Sequence, residues 1–305
     1  MEKVLITGAS GLMGTRLTQL LLNKGYTVNT LGRKTGEHEA AKNGVKAFSW
    51  NIDTGELDSR AFEGVTAIIH LAGAGIADKR WTDERKKEII DSRVKGAKLI
   101  FDQLKKDKKQ VRAFISASAV GFYGDCGDEV VTEEHKPGKD FLAEVCKKWE
   151  AGAKQFTTIG IREVRCRLGI VLSDKGGALP QLIQTLPVGI ATWFAKNNLY
   201  YPWIHLDDVC GILMHAIENE AVSGAYNTTA PQPLLMKDLM SEIVEAKKSK
   251  ALLVPAPPFA IKLAMGEMSE MLLCSQRCSA LKVIDSGYKF RFAEIQKALK
   301  DIFKK

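Results

Sequence analysis

The chain has 305 residues, 45% apolar and 26% charged, with a formal net charge of +8, enough length for a large core and two lobes. No run of about 18 uncharged apolar residues occurs, so a membrane-crossing helix is excluded and no membrane partner is expected. The positive balance fits an anionic small ligand. Without aromatic-basic interleaving or zinc-finger spacing, it does not point to nucleic acid.

The lysine clusters KKDKK (105–109) and KKSK (247–250) close helical patterns, where the helix dipole favours cations. Six scattered cysteines (126, 146, 166, 210, 274 and 278) lack metal-ligand spacing and read as thiols of a reducing cytoplasm. The first strand begins almost at once, so no leader segment is expected within this sequence.

In chain order, KVLIT is a strand, TGASGLMG a glycine turn, and an amphipathic helix follows with Leu17, Leu20 and Leu21 on one face. YTVNTLGRK and VKAFSWNI suit the second and third strands. VTAIIHLAGAG is a fourth, apolar enough to be buried on both sides. A long helix from about Thr82 carries Ile89, Ile90, Val94, Ala97, Ile100, Phe101 and Leu104 at helical spacing. VRAFISASAV is a fifth strand, Asp140 caps the next helix, and IREVRCRLGIVL is a sixth strand. The alternation predicts an α/β fold with a doubly wound parallel sheet, ligands lying at the carboxyl ends of its strands.

The glycine turn is placed as a dinucleotide site requires. Gly8 permits the tight turn, Gly11 lets backbone N–H groups reach a pyrophosphate, and Gly14 allows close packing of helix on sheet. Ser10, Leu12 and Met13 complete the loop. An NAD site wants a carboxylate after the second strand, for the ribose 2′-OH; here stand Gly32, Arg33 and Lys34. Arginine takes a 2′-phosphate bidentately, so NADP is expected over NAD.

TGASGLMG, HLAGAG, ISASAVGFYG and WIHLDDV, in that order, resemble the extended short-chain dehydrogenase/reductases. IADKRWT, FYGDCGDEVVTEE, CKKWE, PWIHLDD and MGE resemble one divergent branch, usually labelled nucleoside-diphosphate-sugar epimerases, and the likeness spans nearly the whole chain. It implies a Rossmann-like NAD(P)-binding domain with a small C-terminal substrate lobe. It also implies that Leu71, Ala72 and Gly73 flank the adenosine ribose and phosphates, and that Val171 contacts the nicotinamide end. The superfamily often has asparagine at the Arg93 position. Arginine there has the reach for a phosphate or ribose; the alternative is a surface arginine.

Such enzymes use a serine plus a tyrosine and lysine four residues apart on one helix face, the tyrosine carrying the proton. Ser118 matches the serine, but the tyrosine position falls on Leu142 and the lysine position on Cys146. Lys147 and Lys148 point about 100° and about 200° away around the helix. Tyr123 is then the nearest replacement acid/base, working with Ser118; the alternative is a packed loop aromatic. Lys79 and Arg80 on the loop after the fourth strand are candidates to clamp an anionic substrate.

Three functions follow from this. One is an atypical NADP-dependent oxidoreductase or epimerase acting on a small hydroxyl or carbonyl substrate, a nucleotide sugar among them. A second is an NADP-binding sensor or scaffold without turnover, which the missing pair and the bulky 190–202 segment favour. The third, a nonspecific anion or nucleic-acid binder, rests on charge alone. No metal site is expected: His205, Asp207 and Asp208 read as a helix start, and Cys274 and Cys278 as core thiols. The expected division is 1–171 with 203–229 for the cofactor, and 172–202 with 230–305 for the substrate; the oligomeric state stays open.

Overall fold

The computed structural model describes residues 2–33, 44–107 and 111–304. Lys34 and part of the first lysine cluster lie outside these residues. Eight strands form the main sheet: β1 (Lys3–Thr7), β2 (Thr27–Gly32), β3 (Val45–Asn51), β4 (Glu56–Leu57), β5 (Val65–His70), β6 (Ala113–Ala119), β7 (Arg162–Leu168) and β8 (Gly224–Thr228). Their order is β8-β7-β6-β5-β1-β2-β3-β4. The β1–β2, β2–β3, β1–β5 and β5–β6 pairs are parallel, and β3–β4 is antiparallel. The chain runs outward from β1 through β3 and then returns to β1's other side as β5. The switch point therefore lies between the carboxyl ends of β1 and β5.

Helix α1 (Leu12–Asn23) follows the glycine turn, α2 is Asp83–Asp107, and α3 is Phe141–Lys154. Asp140 caps α3 as its sequence predicts, its side chain accepting from the Ala143 N–H at 2.8 Å. On α2 the buried stripe runs Arg85, Ile89, Arg93, Gly96, Ala97, Ile100, Phe101 and Leu104. Ile90 and Val94 are only half-buried.

The molecule divides into two compact units: 1–118 with 145–166 and 210–225, and 119–144 with 167–209 and 226–305. The first has a core of Leu5, Trp50, Phe62, Ile68, Phe114 and Phe156, with the Phe114 and Phe156 rings stacked at 3.7 Å. The second has a core including Leu172, Trp203, Leu239 and Leu299.

The sequence placed 119–144 with the cofactor domain, whereas contacts put it in the second unit. The reason is local. Val130–Val131 pairs with Arg277–Cys278, the Cys126 N–H donates to Ser275 O at 2.8 Å, and Gln276 Nε2 donates to Gly124 O at 2.9 Å.

Among the described residues no helix is long and apolar enough to cross a membrane, and no group of three His, Cys, Asp or Glu could hold a metal. Asp208 is wholly buried. It accepts from the Tyr288 hydroxyl at 2.9 Å and from the Arg291 and Phe292 N–H groups at 2.8 and 2.9 Å. Burial pushes the Cys274 thiol up to about 12 and raises that of Cys278; Cys278 lies on a strand and not on a helix with Cys274. Asp208→Ala strands the Arg291 and Phe292 N–H donors, leaves the Tyr288 hydroxyl only the Asp208 carbonyl, and is expected to cost about 3 kcal/mol in urea unfolding. A loss under about 0.5 kcal/mol, the range of an ordinary surface change, would mean that Asp208 does not tie these segments.

Candidate functional site

The site in the first unit is built where two loops touch. Gly8 has φ +72°, and a Cβ there would stand 2.9 Å from Ala72 N and Leu71 C. A Cβ on Gly14 would stand 2.3 Å from Gly8 O. Both glycines are therefore fixed by sterics within the protein. Gly11 differs: at φ −76° any residue fits, and a Cβ would meet only Gly8 O, at 3.4 Å. Its bare backbone leaves room ahead of α1. That helix has no side-chain cap and no acidic residue in its first turn. Uncapped N–H groups at the positive end of a helix suit a phosphate.

Thr7 and His70 end β1 and β5 and lock these loops together. Thr7 Oγ1 accepts from the Ala72 N–H at 3.2 Å and pairs with His70 Nδ1 at 2.8 Å. His70 is wholly buried beside Phe114 and Trp50, and its Nε2 has no partner among the described residues. Burial pushes its pKa down to about 4.

Arg93 is on the buried face of α2, not the surface. A Cβ on Gly73 would stand 3.0 Å from the Arg93 guanidinium carbon, so the arginine would have to give by a few tenths of an ångström, and the Trp149 ring centroid is 4.8 Å from that carbon. Nη1 donates to Ala74 O at 3.0 Å and to Ile89 O at 2.9 Å, while Nε has no partner. Among the described residues no carboxylate pairs with it. Burial lowers its pKa to about 10, so it stays charged at neutral pH. A buried cation without a counter-ion costs several kcal/mol, a cost that an anion would offset.

Arg85, also buried, donates to Gly75 O and to Glu88 Oε2, the latter at 2.7 Å. With the Trp81 indole N–H on Ile76 O at 2.9 Å, it shapes the loop that carries exposed Lys79 and Arg80. Glu88 is held below the usual carboxylate range, first by the Arg85 hydrogen bond and further by the charges of Lys79 and Arg33. Arg33 is thus electrostatically in touch with this loop. It is exposed just past β2, after half-buried Gly32.

The two expected catalytic hydroxyls are both engaged inside the protein. Ser118 is buried in the first unit and donates to Glu150 Oε1 at 2.8 Å. Arg165 bonds Glu150 at 3.2 Å and Glu163 at 2.9 Å. Tyr123 belongs to the second unit and is also buried. Its hydroxyl donates to Asn227 Oδ1 at 2.6 Å and accepts from Arg167 Nη1 at 2.8 Å. Arg167 stacks on Phe122 at 3.6 Å. Burial raises the phenol's pKa well above its ordinary value, so it stays protonated at neutral pH.

Leu142 is half-buried at the tyrosine position and Cys146 buried at the lysine position. Lys147 and Lys148 are exposed, as their helical angles predict. Val171, in the second unit, pairs with Ile204. Sequence reasoning missed Glu150 and Arg165. The available signal was a carboxylate on the apolar face of α3, four residues after Cys146.

Residues 4–153 match the family model described as the NAD dependent epimerase/dehydratase family, and residues 256–302 match a domain of unknown function, DUF1731. The epimerase family protein YfhF of Bacillus subtilis is 31% identical over 98% of this chain and 97% of its own. The crystal structure of human epimerase family protein SDR39U1 with NADPH is similar at TM-score 0.86 and 28% identity, covering 98% of both chains. That of a nucleoside-diphosphate sugar epimerase from Corynebacterium glutamicum is similar at TM-score 0.78 and 32% identity, covering 99% of this chain and 58% of that longer one.

The neutral, buried His70 generates a pH prediction. Above pH about 6.5 the imidazole is neutral whether the chain is folded or unfolded. Between about 6.5 and about 4 the unfolded chain gains a proton that the folded one refuses, so stability falls with pH, by about 3 kcal/mol in all. In His70→Phe this component should vanish. Its stability relative to wild type should be constant above pH 6.5 and rise below it; parallel curves would mean that folded His70 takes up the proton.

Proposed function

The chain belongs to the NAD dependent epimerase/dehydratase family, and on that premise we propose that it binds NADP(H) as an atypical oxidoreductase of the epimerase type. Its substrate would be a small hydroxyl or carbonyl compound. The observation that carries this reading is Arg93, a buried cation without a carboxylate, on the same unit as an uncapped helix N-terminus behind a glycine cradle. Gly8, Ser10, Gly11, Leu12, Met13 and Gly14 would hold the pyrophosphate, with Leu71, Ala72 and Gly73 as the facing wall. Arg93 would supply the counter-charge. Gly32 and Arg33 would take the 2′-phosphate, which the absence of a carboxylate at the described end of β2 favours. Val171 is assigned to the nicotinamide end. When bound, the cofactor supplies or accepts a hydride.

The proton step needs a different pair from tyrosine and lysine. Ser118 donates a hydrogen bond to Glu150. A substrate hydroxyl reaching Ser118 could pass its proton to Oγ as Ser118 passes its own to the carboxylate, and Arg165 holds that carboxylate in place. Tyr123 fits a structural role better than that of a base, because its proton is committed to Asn227. Lys79 and Arg80, exposed on a braced loop, would bind an anionic substrate, and we assign them the diphosphate of a nucleotide sugar. All six cysteines are outside any disulfide, which suits a reducing compartment and a cytoplasmic placement.

The second reading, an NADP-binding sensor without turnover, is favoured by Leu142 and Cys146 at the dyad positions and by the internal engagement of both hydroxyls.

Calorimetry with NADPH and NADH tests the cofactor reading. NADPH should bind tightly and selectively; failure of both cofactors to bind would end it. Arg33→Ala should weaken NADPH roughly 10- to 100-fold and leave NADH nearly unchanged, as loss of a charged hydrogen bond implies. Equal losses for both would sink the 2′-phosphate assignment. Arg93→Met should instead weaken both cofactors by the same factor, since the pyrophosphate is common to them. Unchanged affinity would leave Arg93 a purely structural cation. NADPH oxidation with carbonyl compounds separates enzyme from sensor: turnover lost in Glu150→Gln with cofactor binding kept supports the relay, and binding without turnover supports the sensor.

A further inference from the structure

Helix α3 lacks the tyrosine and lysine, but two adjacent residues on it, Trp149 and Glu150, are buried and engaged. Glu150 accepts the Ser118 hydrogen bond. Trp149 meets Arg93, whose guanidinium carbon lies 4.8 Å from the centroid of its ring. The indole N–H is buried and has no acceptor among the described residues. An orphaned donor is a cost that phenylalanine would avoid. What the indole offers at this position is its ring, which attracts a cation over its face more strongly than any other side chain.

Arg93 in turn holds a loop. Its Nη1 donates to Ala74 O at 3.0 Å, and its neighbour Ser92 accepts from the Ala74 N–H at 3.0 Å. Ser92 Oγ also donates to Ile89 O at 3.0 Å, the carbonyl that Arg93 Nη1 reaches at 2.9 Å. Both backbone groups of Ala74 are thus fastened to α2. Gly73 lies against the same side chain: an added Cβ would stand 3.0 Å from Arg93 Cζ, 3.2 Å from Cγ and 3.3 Å from Nε. The loop keeps its place only while Arg93 keeps its own. Arginine has much rotamer freedom to lose, and among the described residues no carboxylate fixes this one. The ring of Trp149 is what α3 supplies to hold it.

We propose that Trp149 is a positioning residue for the cofactor's phosphates: its ring fixes the Arg93 guanidinium, and Arg93 fixes the 73–74 loop that continues the wall facing the glycine cradle. All of these residues lie in the first unit. The inference rests on the cofactor reading above and gives α3 a part in cofactor binding, carried by a residue other than 142 and 146.

The test is calorimetry of the full chain with NADPH and with NADH, at a temperature where circular dichroism shows each variant folded. Trp149→Leu keeps an apolar side chain and removes the ring. It should weaken both cofactors by the same factor, roughly three- to tenfold, as having to immobilise one long side chain on binding implies. Trp149→Phe restores a ring face and should stay within about twofold of wild type. In an Arg93→Met background the leucine substitution should add less than about twofold, because the ring then has no cation to hold. A tryptophan that only packs the core would lower the melting temperature and leave the affinities of the folded variants alone, or would cost the same factor in both backgrounds; either result overturns the proposal. So does a phenylalanine variant as weak as the leucine one, or a loss confined to NADPH, which would place Trp149 with the 2′-phosphate. Should Trp149→Leu not fold, Trp149→Met fills more of the ring's volume and takes its place under the same criteria. A wild type that binds neither cofactor ends the cofactor reading itself. A wild type that binds NADPH no better than Trp149→Leu does ends only this inference.

Discussion

The close approach of the two loops at the switch point is the constraint on which the first unit's site depends. Gly8 can lie against Leu71 and Ala72 only without a side chain, and Gly14 can lie over Gly8 only on the same condition. Sterics alone would leave the loops free to separate. Thr7 joins them by bonding Ala72 and His70 together, and His70 is held neutral by burial between aromatic rings. The uncapped end of α1 thus starts from a turn that is packed against the 71–72 loop. A preorganised backbone of this kind avoids ordering costs when a ligand arrives.

Charge then distinguishes the residues around these loops. Arg85 and Arg93 lie on the same buried stripe of α2, yet they do different work. Arg85 is neutralised by Glu88 and spends its donors bracing the loop through Gly75. Arg93 has carbonyls and an aromatic ring around it and, among the described residues, no carboxylate. Behind β6 the balance reverses. Two buried carboxylates share Arg165, and Ser118 donates to one of them. A carboxylate that accepts from a serine and a buried cation without a carboxylate among the described residues are thus both built into one unit. Neither occupies the positions of the tyrosine and lysine that α3 lacks.

The second unit applies the same rule of polar satisfaction to a structural end. Arg167 and Asn227 both bond the Tyr123 hydroxyl, and Asn227 also reaches Val131 and Ser279 through its amide. Asp208 gathers the 288–292 segment in the same way.

The sequence by itself determined the sheet, the glycine loop and the missing dyad. These are written in short-range signals: apolar runs, helical periodicity, the spacing of Gly8, Gly11 and Gly14, and the identities of Leu142 and Cys146. Lys147 and Lys148 could be set aside from helical geometry alone. Only the tertiary structure decided the fates of Arg93, Ser118 and Tyr123, because each depends on partners far away in the chain. Arg93 sits four residues from both Ile89 and Ala97, a legible hint of burial, but the ring that covers it comes from α3. Ser118 finds Glu150 thirty-two residues on, and Tyr123 finds Asn227 one hundred and four residues on. Periodicity reports which face of an element is buried. It does not report which polar groups meet there, and in this protein that meeting determines whether a hydroxyl is open to chemistry or committed to the fold.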